Sequence, residues 1–149
     1  MARFSVIGNR TGSATLGVLE VDADATRPRR GKAYEFIFGS EAAAADNPFL
    51  WTVDRVTAPG AIAGTGVTPS PLDAGDAATE TDALENLTTN PTVGATLLAV
   101  GLNQRNTFRW VAYPGSEFVW PATDGLGIIV LTPTTAAVAI NSTCFFEEQ

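Results

Sequence analysis

Residues 97–148 form a run of short strand-like segments with almost no room for a helix. Phe108-Arg109-Trp110-Val111-Ala112-Tyr113 is an aromatic and β-branched segment stopped by Pro114-Gly115. Glu117-Phe118-Val119-Trp120 is closed by Pro121, Gly127-Ile128-Ile129-Val130-Leu131-Thr132 runs up to Pro133, and a last segment covers 137–147. Such residues suit a pleated, half-buried surface, and the Pro, Gly, Asn and Asp between them supply turns. The pattern predicts antiparallel pairing in a sandwich or barrel.

The upstream chain repeats the pattern. Residues 14–21 alternate imperfectly, 33–38 place Tyr34, Phe36 and Phe38 on one face against Glu35, and 49–57 place Phe49, Trp51, Val53 and Arg55 on an inward face with Arg55 near its rim. Residues 93–102 form a further strand. The stretch 40–45 has room for one helical turn capped by Ser40. Residues 1–12 read as an N-terminal arm or edge strand, and 13–149 as a single sandwich domain. Between them and the C-terminal run, 58–92 carries no sustained apolar period and reads as one long irregular loop, with a short helix over 77–87 turning Ala83, Leu84 and Leu87 to the sheet. About eight strands without crossover helices predict an all-β, antiparallel β-sandwich, a jelly roll ahead of an immunoglobulin-like arrangement.

Several function classes are disfavoured by what is missing. The chain of 149 residues has no His, so it can build no Ser-His-Asp triad, no His-liganded zinc and no ordinary imidazole proton shuttle. Its one Cys, Cys144, cannot form an internal disulfide and reads as a buried small hydrophobe. A net charge of −7 disfavours nucleic acid as a partner, although Arg27, Arg29, Arg30 and Lys32 make a local basic cluster on a solvated loop. No apolar window approaches a membrane span, and the first ten residues lack the apolar core of a signal peptide. Gly31-Lys32 lacks the upstream glycine of a P-loop, and Gly64-Thr65-Gly66 lacks the third glycine of a dinucleotide fingerprint. Asp73, Asp76, Glu80, Asp82 and Glu85 lack the spacing of a calcium loop and read as a solvated acidic stretch. Neither an enzyme nor a metal or cofactor site is expected.

Phe38-Gly39-Ser40, Asp46-Asn47-Pro48 ahead of Trp51, Arg55 before Thr57-Ala58, Thr68-Pro69 and Pro71-Leu72-Asp73 share a texture with Leu102-Asn103-Gln104-Arg105, Phe108-Arg109-Trp110, Tyr113-Pro114-Gly115-Ser116-Glu117 and Gly125-Leu126-Gly127-Ile128. Together, over 33–148, they resemble small virion proteins of tailed bacteriophages, nearest to the jelly-roll capsid decoration, or cement, proteins. That resemblance implies synthesis in the host bacterial cytoplasm, a place on the outer capsid surface, the major capsid protein as partner, and a homotrimer that bridges capsomers.

On this reading Arg3 and Phe4 of the arm, with Arg105, Arg109 and Trp110, are the candidate capsid or subunit contacts, since Arg and Trp dominate buried contact energies. The competing reading of Trp110 is a plain core residue, with Arg109 exposed on the opposite face of its strand. Asn103 and Gln104 can equally do no more than shape their turn. Another binding class stays open: a receptor- or glycan-binding head-fibre or tail module, with Trp51, Trp110, Tyr113 and Trp120 as an aromatic platform. A weak catalytic alternative pairs Glu117 with Asp124 as acid and base.

Overall fold

A computed structural model describes residues 1–11, 16–42, 44–58, 63–131 and 138–149, with the side chains of 127–131 excepted. Among the described residues the regular elements are all strands: β1 (Arg3–Thr11), β2 (Gly17–Ala23), β3 (Gly31–Ala42), β4 (Pro48–Val56), β5 (Ala63–Gly66), β6 (Ser70–Pro71), β7 (Thr81–Thr89), β8 (Val93–Asn103), β9 (Phe108–Val111), β10 (Phe118–Trp120), β11 (Gly125–Leu131) and β12 (Ala139–Glu148). One six-stranded sheet runs β10-β3-β12-β1-β6, with β9 also on β3, and the other runs β5-β7-β2-β11-β4-β8.

The pairing has a simple origin. β1 pairs with β12, β2 with β11, β3 with β9 and β10, and β4 with β8, all antiparallel. With β9 and β10 sharing one position, this is one long hairpin of eight segments rolled on itself, so that its successive pairs alternate between two facing sheets, which is the order of a jelly roll. The tip of the hairpin lies between β4 and β8. There an insertion disturbs no register, which accounts for the placement of the long stretch 58–92.

That stretch is not the irregular loop expected of it. It returns along the sandwich, adding β7 to β2 and β6 to β1, while β5 pairs with β7. The helix expected over 77–87 is strand β7, because pairing with β2 satisfies its backbone and buries Ala83 and Leu87. The arm is likewise a strand: β1 holds nine residue pairs with β12 and meets β6 on its other side only at Phe4 and Ser5. The helical turn expected over 40–45 is replaced as far as Ala42 by the end of β3, and Ala43 lies outside the described residues. Also outside them are 12–15, where the second strand was expected to begin, 59–62, and 132–137.

The core is aromatic. Phe38 of β3 stacks on Trp51 of β4 across the two sheets, with ring centroids 4.9 Å apart and planes 6° from parallel. Phe4 stacks on Phe146 at 5.5 Å, and Cys144 lies wholly buried between strands, its thiol pushed up by desolvation. Trp120 sits over Gly31, its register partner. A Cβ on Gly31 would come within 1.8 Å of the Trp120 ring, so only glycine admits the indole there. Gly31→Ala should cost about 2–3 kcal/mol by overpacking, read as a lowered urea midpoint; an unchanged midpoint would show that the indole can move.

One carboxylate is buried without compensation. Glu20 on β2 points away from Leu19 and Val21, between Leu84 and Gly127 in register, and is 1 % exposed with neither oxygen hydrogen-bonded among the described residues. Desolvation, then the charge of Asp22 on the same face, raises its carboxyl from 4.5 to about 8. The folded state therefore holds a proton that the unfolded chain releases earlier. The stability this group contributes is complete below about pH 4.5 and is lost as pH rises through about 8. Relative to Glu20→Gln, the wild type should lose on the order of 3 kcal/mol between pH 5 and 8, measured by denaturant unfolding at each pH. Parallel profiles for the two proteins would mean that Glu20 does not titrate in this way.

Candidate interaction surface

The two sheets leave one side of the sandwich open, where β8 ends one sheet and β9 and β10 end the other. Aromatics built on β3 reach this margin. Phe36 packs against Trp110 at 5.5 Å and Phe118 at 6.0 Å, and Trp110 stacks on Phe118 at 4.4 Å and 21°. Register explains the cluster, since β9 places Trp110 beside Phe36 and Phe108 beside Phe38. Phe108, Trp110 and Phe118 remain half-buried, as do Leu98 and Leu102 on β8. Val111 is 50 % exposed and Tyr113 is 83 % exposed on the turn that follows. In that turn Ser116 N–H donates to the Tyr113 carbonyl at 2.8 Å, and Gly115 adopts φ +87°, which suits the type II geometry of Pro114-Gly115.

The five residues singled out from sequence divide clearly. Arg109 is exposed on the outer face of β9, and its Nε donates to Glu35 Oε1 at 2.5 Å; the hydrogen bond and charge of Glu35 raise the guanidinium pKa. Trp110 points inward into the aromatic cluster and keeps one flank at the surface. Arg105 is exposed in the turn after β8, where its backbone N–H donates to Asn103 Oδ1 at 2.9 Å. These three share the open margin. Arg3 lies elsewhere, on the outer face of the first sheet, where Glu147 bridges it at 3.3 Å to Lys32 at 3.1 Å, with Glu117 3.6 Å beyond. Phe4 is 1 % exposed under Phe146, so this candidate contact is a core residue of the folded chain.

Other candidates are taken up by the fold. Gln104 is buried and clamps the approach to β4: its N–H donates to the Asn47 carbonyl at 2.9 Å and its Oε1 accepts the Ala45 N–H at 3.0 Å. Arg27 of the basic cluster pairs with Glu80 at 2.9 Å, and Glu85 accepts the Asn9 N–H at 2.7 Å. No group of three or more Cys, Asp or Glu among the described residues is arranged to hold a metal ion. Trp51 and Trp120 lie in the core, so they cannot join Trp110 and Tyr113 in a surface platform. The strand expected over 93–102 is β8, but its place at a sheet edge was not foreseen; its eleven residues carry no charge and no proline.

Because Arg109 and Glu35 meet at an exposed site, Arg109→Ala should leave the urea midpoint unchanged within error; a clear drop would make the pair structural. No protein-family profile, curated protein or solved structure matches this chain.

Proposed function

We propose that the chain is a structural virion protein, a capsid decoration protein that binds the outer surface of a phage head and stabilises it through contacts with the major capsid protein. It works as a binding module, without chemistry of its own. A protein that binds only the assembled shell shifts the assembly equilibrium toward the shell by mass action.

One observation carries the reading beyond the resemblance. Three of the motifs that resemble decoration proteins, Leu102-Asn103-Gln104-Arg105, Phe108-Arg109-Trp110 and Tyr113-Pro114-Gly115-Ser116-Glu117, fall side by side on the open margin as the end of β8, the strand β9 and the turn into β10. The same margin presents Arg105, Arg109, Val111 and Tyr113 to solvent. Arginine and aromatic side chains beside exposed apolar surface are the usual anchors of a protein contact. A glycan-binding module has less support, since two of its four aromatics are buried.

Quantitative mass spectrometry of purified virions tests this directly. Hundreds of copies in fixed ratio to the major capsid protein are expected, with Arg109→Glu and Tyr113→Ala reducing occupancy about tenfold or more, as loss of a hot-spot anchor does. A handful of copies per particle, or none, would defeat the proposal.

A further inference from the structure

Among the described residues β8 ends its sheet and pairs with β4 alone. It has eleven residues, whereas β5 has four, β6 two, β9 four and β10 three. Its free edge is therefore the longest at those sheet margins among the described residues. Folded proteins guard such edges with lysine, proline, bulges or short length, because a row of open N–H and C=O groups invites another strand. Val93-Gly94-Ala95-Thr96-Leu97-Leu98-Ala99-Val100-Gly101-Leu102-Asn103 has no charge and no proline. The irregularities in its pairing lie beside Val53, Asp54 and Val56, so the half from Leu98 to Asn103 runs in regular register.

We propose that β8 pairs antiparallel with β8 of a second copy of this chain, across a two-fold axis at Val100. Such an axis keeps every side chain on its own face of the joined sheet, so the residue on the axis meets itself and its neighbours pair symmetrically. Val100 then faces Val100 of the second copy, Leu98 faces Leu102 on the inner side, and Ala99 faces Gly101 on the outer side. Every one of these pairs is apolar or small, and the inner ones bring together the half-buried Leu98 and Leu102 at the margin that the half-buried Phe108, Trp110 and Phe118 also line.

The strand's own composition argues for a copy of the same chain as the occupant, because residues beside a two-fold axis meet their like and β8 brings no charge there. The net charge of −7 makes two copies repel over the rest of the surface, and this uncharged strand is a stretch where no like charges would face each other. A charged partner strand would find no counter-charge along it, whereas the second copy supplies a strand of equal length and equal neutrality, oriented by symmetry. The contact stands independently of the virion reading. It closes at two copies, unlike the trimer implied by the family resemblance.

The test uses the full chain. Ala99 and Gly101 are exposed, and a Cβ at Gly101 meets open space, so A99K/G101K should fold normally. Analytical ultracentrifugation should find the wild type moving from monomer, 15.6 kDa, to a dimer as concentration rises, and the double lysine variant monomeric at every concentration. Mixing A99C with G101C under oxidation should give the mixed disulfide dimer well in excess of either self-linked dimer, because the register sets position 99 opposite position 101 of the second copy; Cys144 is buried and does not compete. A wild type that stays monomeric, an oligomer indifferent to the lysines, a trimer, or cysteines that link without preference would each overturn the proposal.

Discussion

The stack of Phe38 on Trp51 is the contact on which the sandwich depends. It joins β3 to β4 across the interior, and these are successive strands of the rolled hairpin that belong to opposite sheets. Around it the aromatic rings run outward through Phe36 to Trp110 and Phe118 on one side, and Phe49 meets Trp51 edge-on at 6.5 Å on the other. Large flat side chains bury much apolar area for few rotatable bonds. A chain with 14 glycines and little charge needs that concentration of buried surface to hold two twisted sheets together.

Where the stack stops, the surface changes character. The interior seals itself around β1, β2, β11 and β12, but at β8, β9 and β10 the rings and leucines come to solvent half-buried. The same end of the sandwich combines Arg105 and Arg109 with Val111 and Tyr113, and it carries the long bare edge of β8. The outer face of β9 and the edge of β8 belong to different sheets, so the two proposed contacts are compatible with each other.

Buried polar groups mark the opposite tendency. Asp54 accepts from the hydroxyls of Thr52 and Thr96, so its burial is compensated by hydrogen bonds. Glu20, across Gly127 from Asp54, has no such donors among the described residues, and its proton takes their place. Two carboxylates on one sheet face thus reach stability by different routes, and the second makes the fold sensitive to alkali.

Much of this was legible in the sequence. Alternation in 33–38 and 49–57 put Phe36, Phe38, Trp51 and Val53 on inner faces, and Pro114-Gly115 ended β9 where local turn chemistry requires it, since these signals act between neighbours in the chain. Tyr34, expected on the face of Phe36 and Phe38, instead packs against Phe145, because a bulge in the pairing with β12 shifts the alternation there. Strand formation over 81–89 was not legible, because Thr81-Asp82-Ala83-Leu84-Glu85-Asn86-Leu87 has no period of its own and becomes a strand only when β2 offers it backbone partners. Phe4 is buried and Arg109 paired for the same reason: Phe146 and Glu35 lie more than seventy residues away along the chain. Composition by itself excluded histidine-based chemistry and an internal disulfide, and the pattern of short strand segments bounded by turn residues selected an all-β chain. Only the tertiary structure decided which strand would be left at the sheet edge, because an edge is defined by the absence of a neighbour and no local pattern encodes that absence.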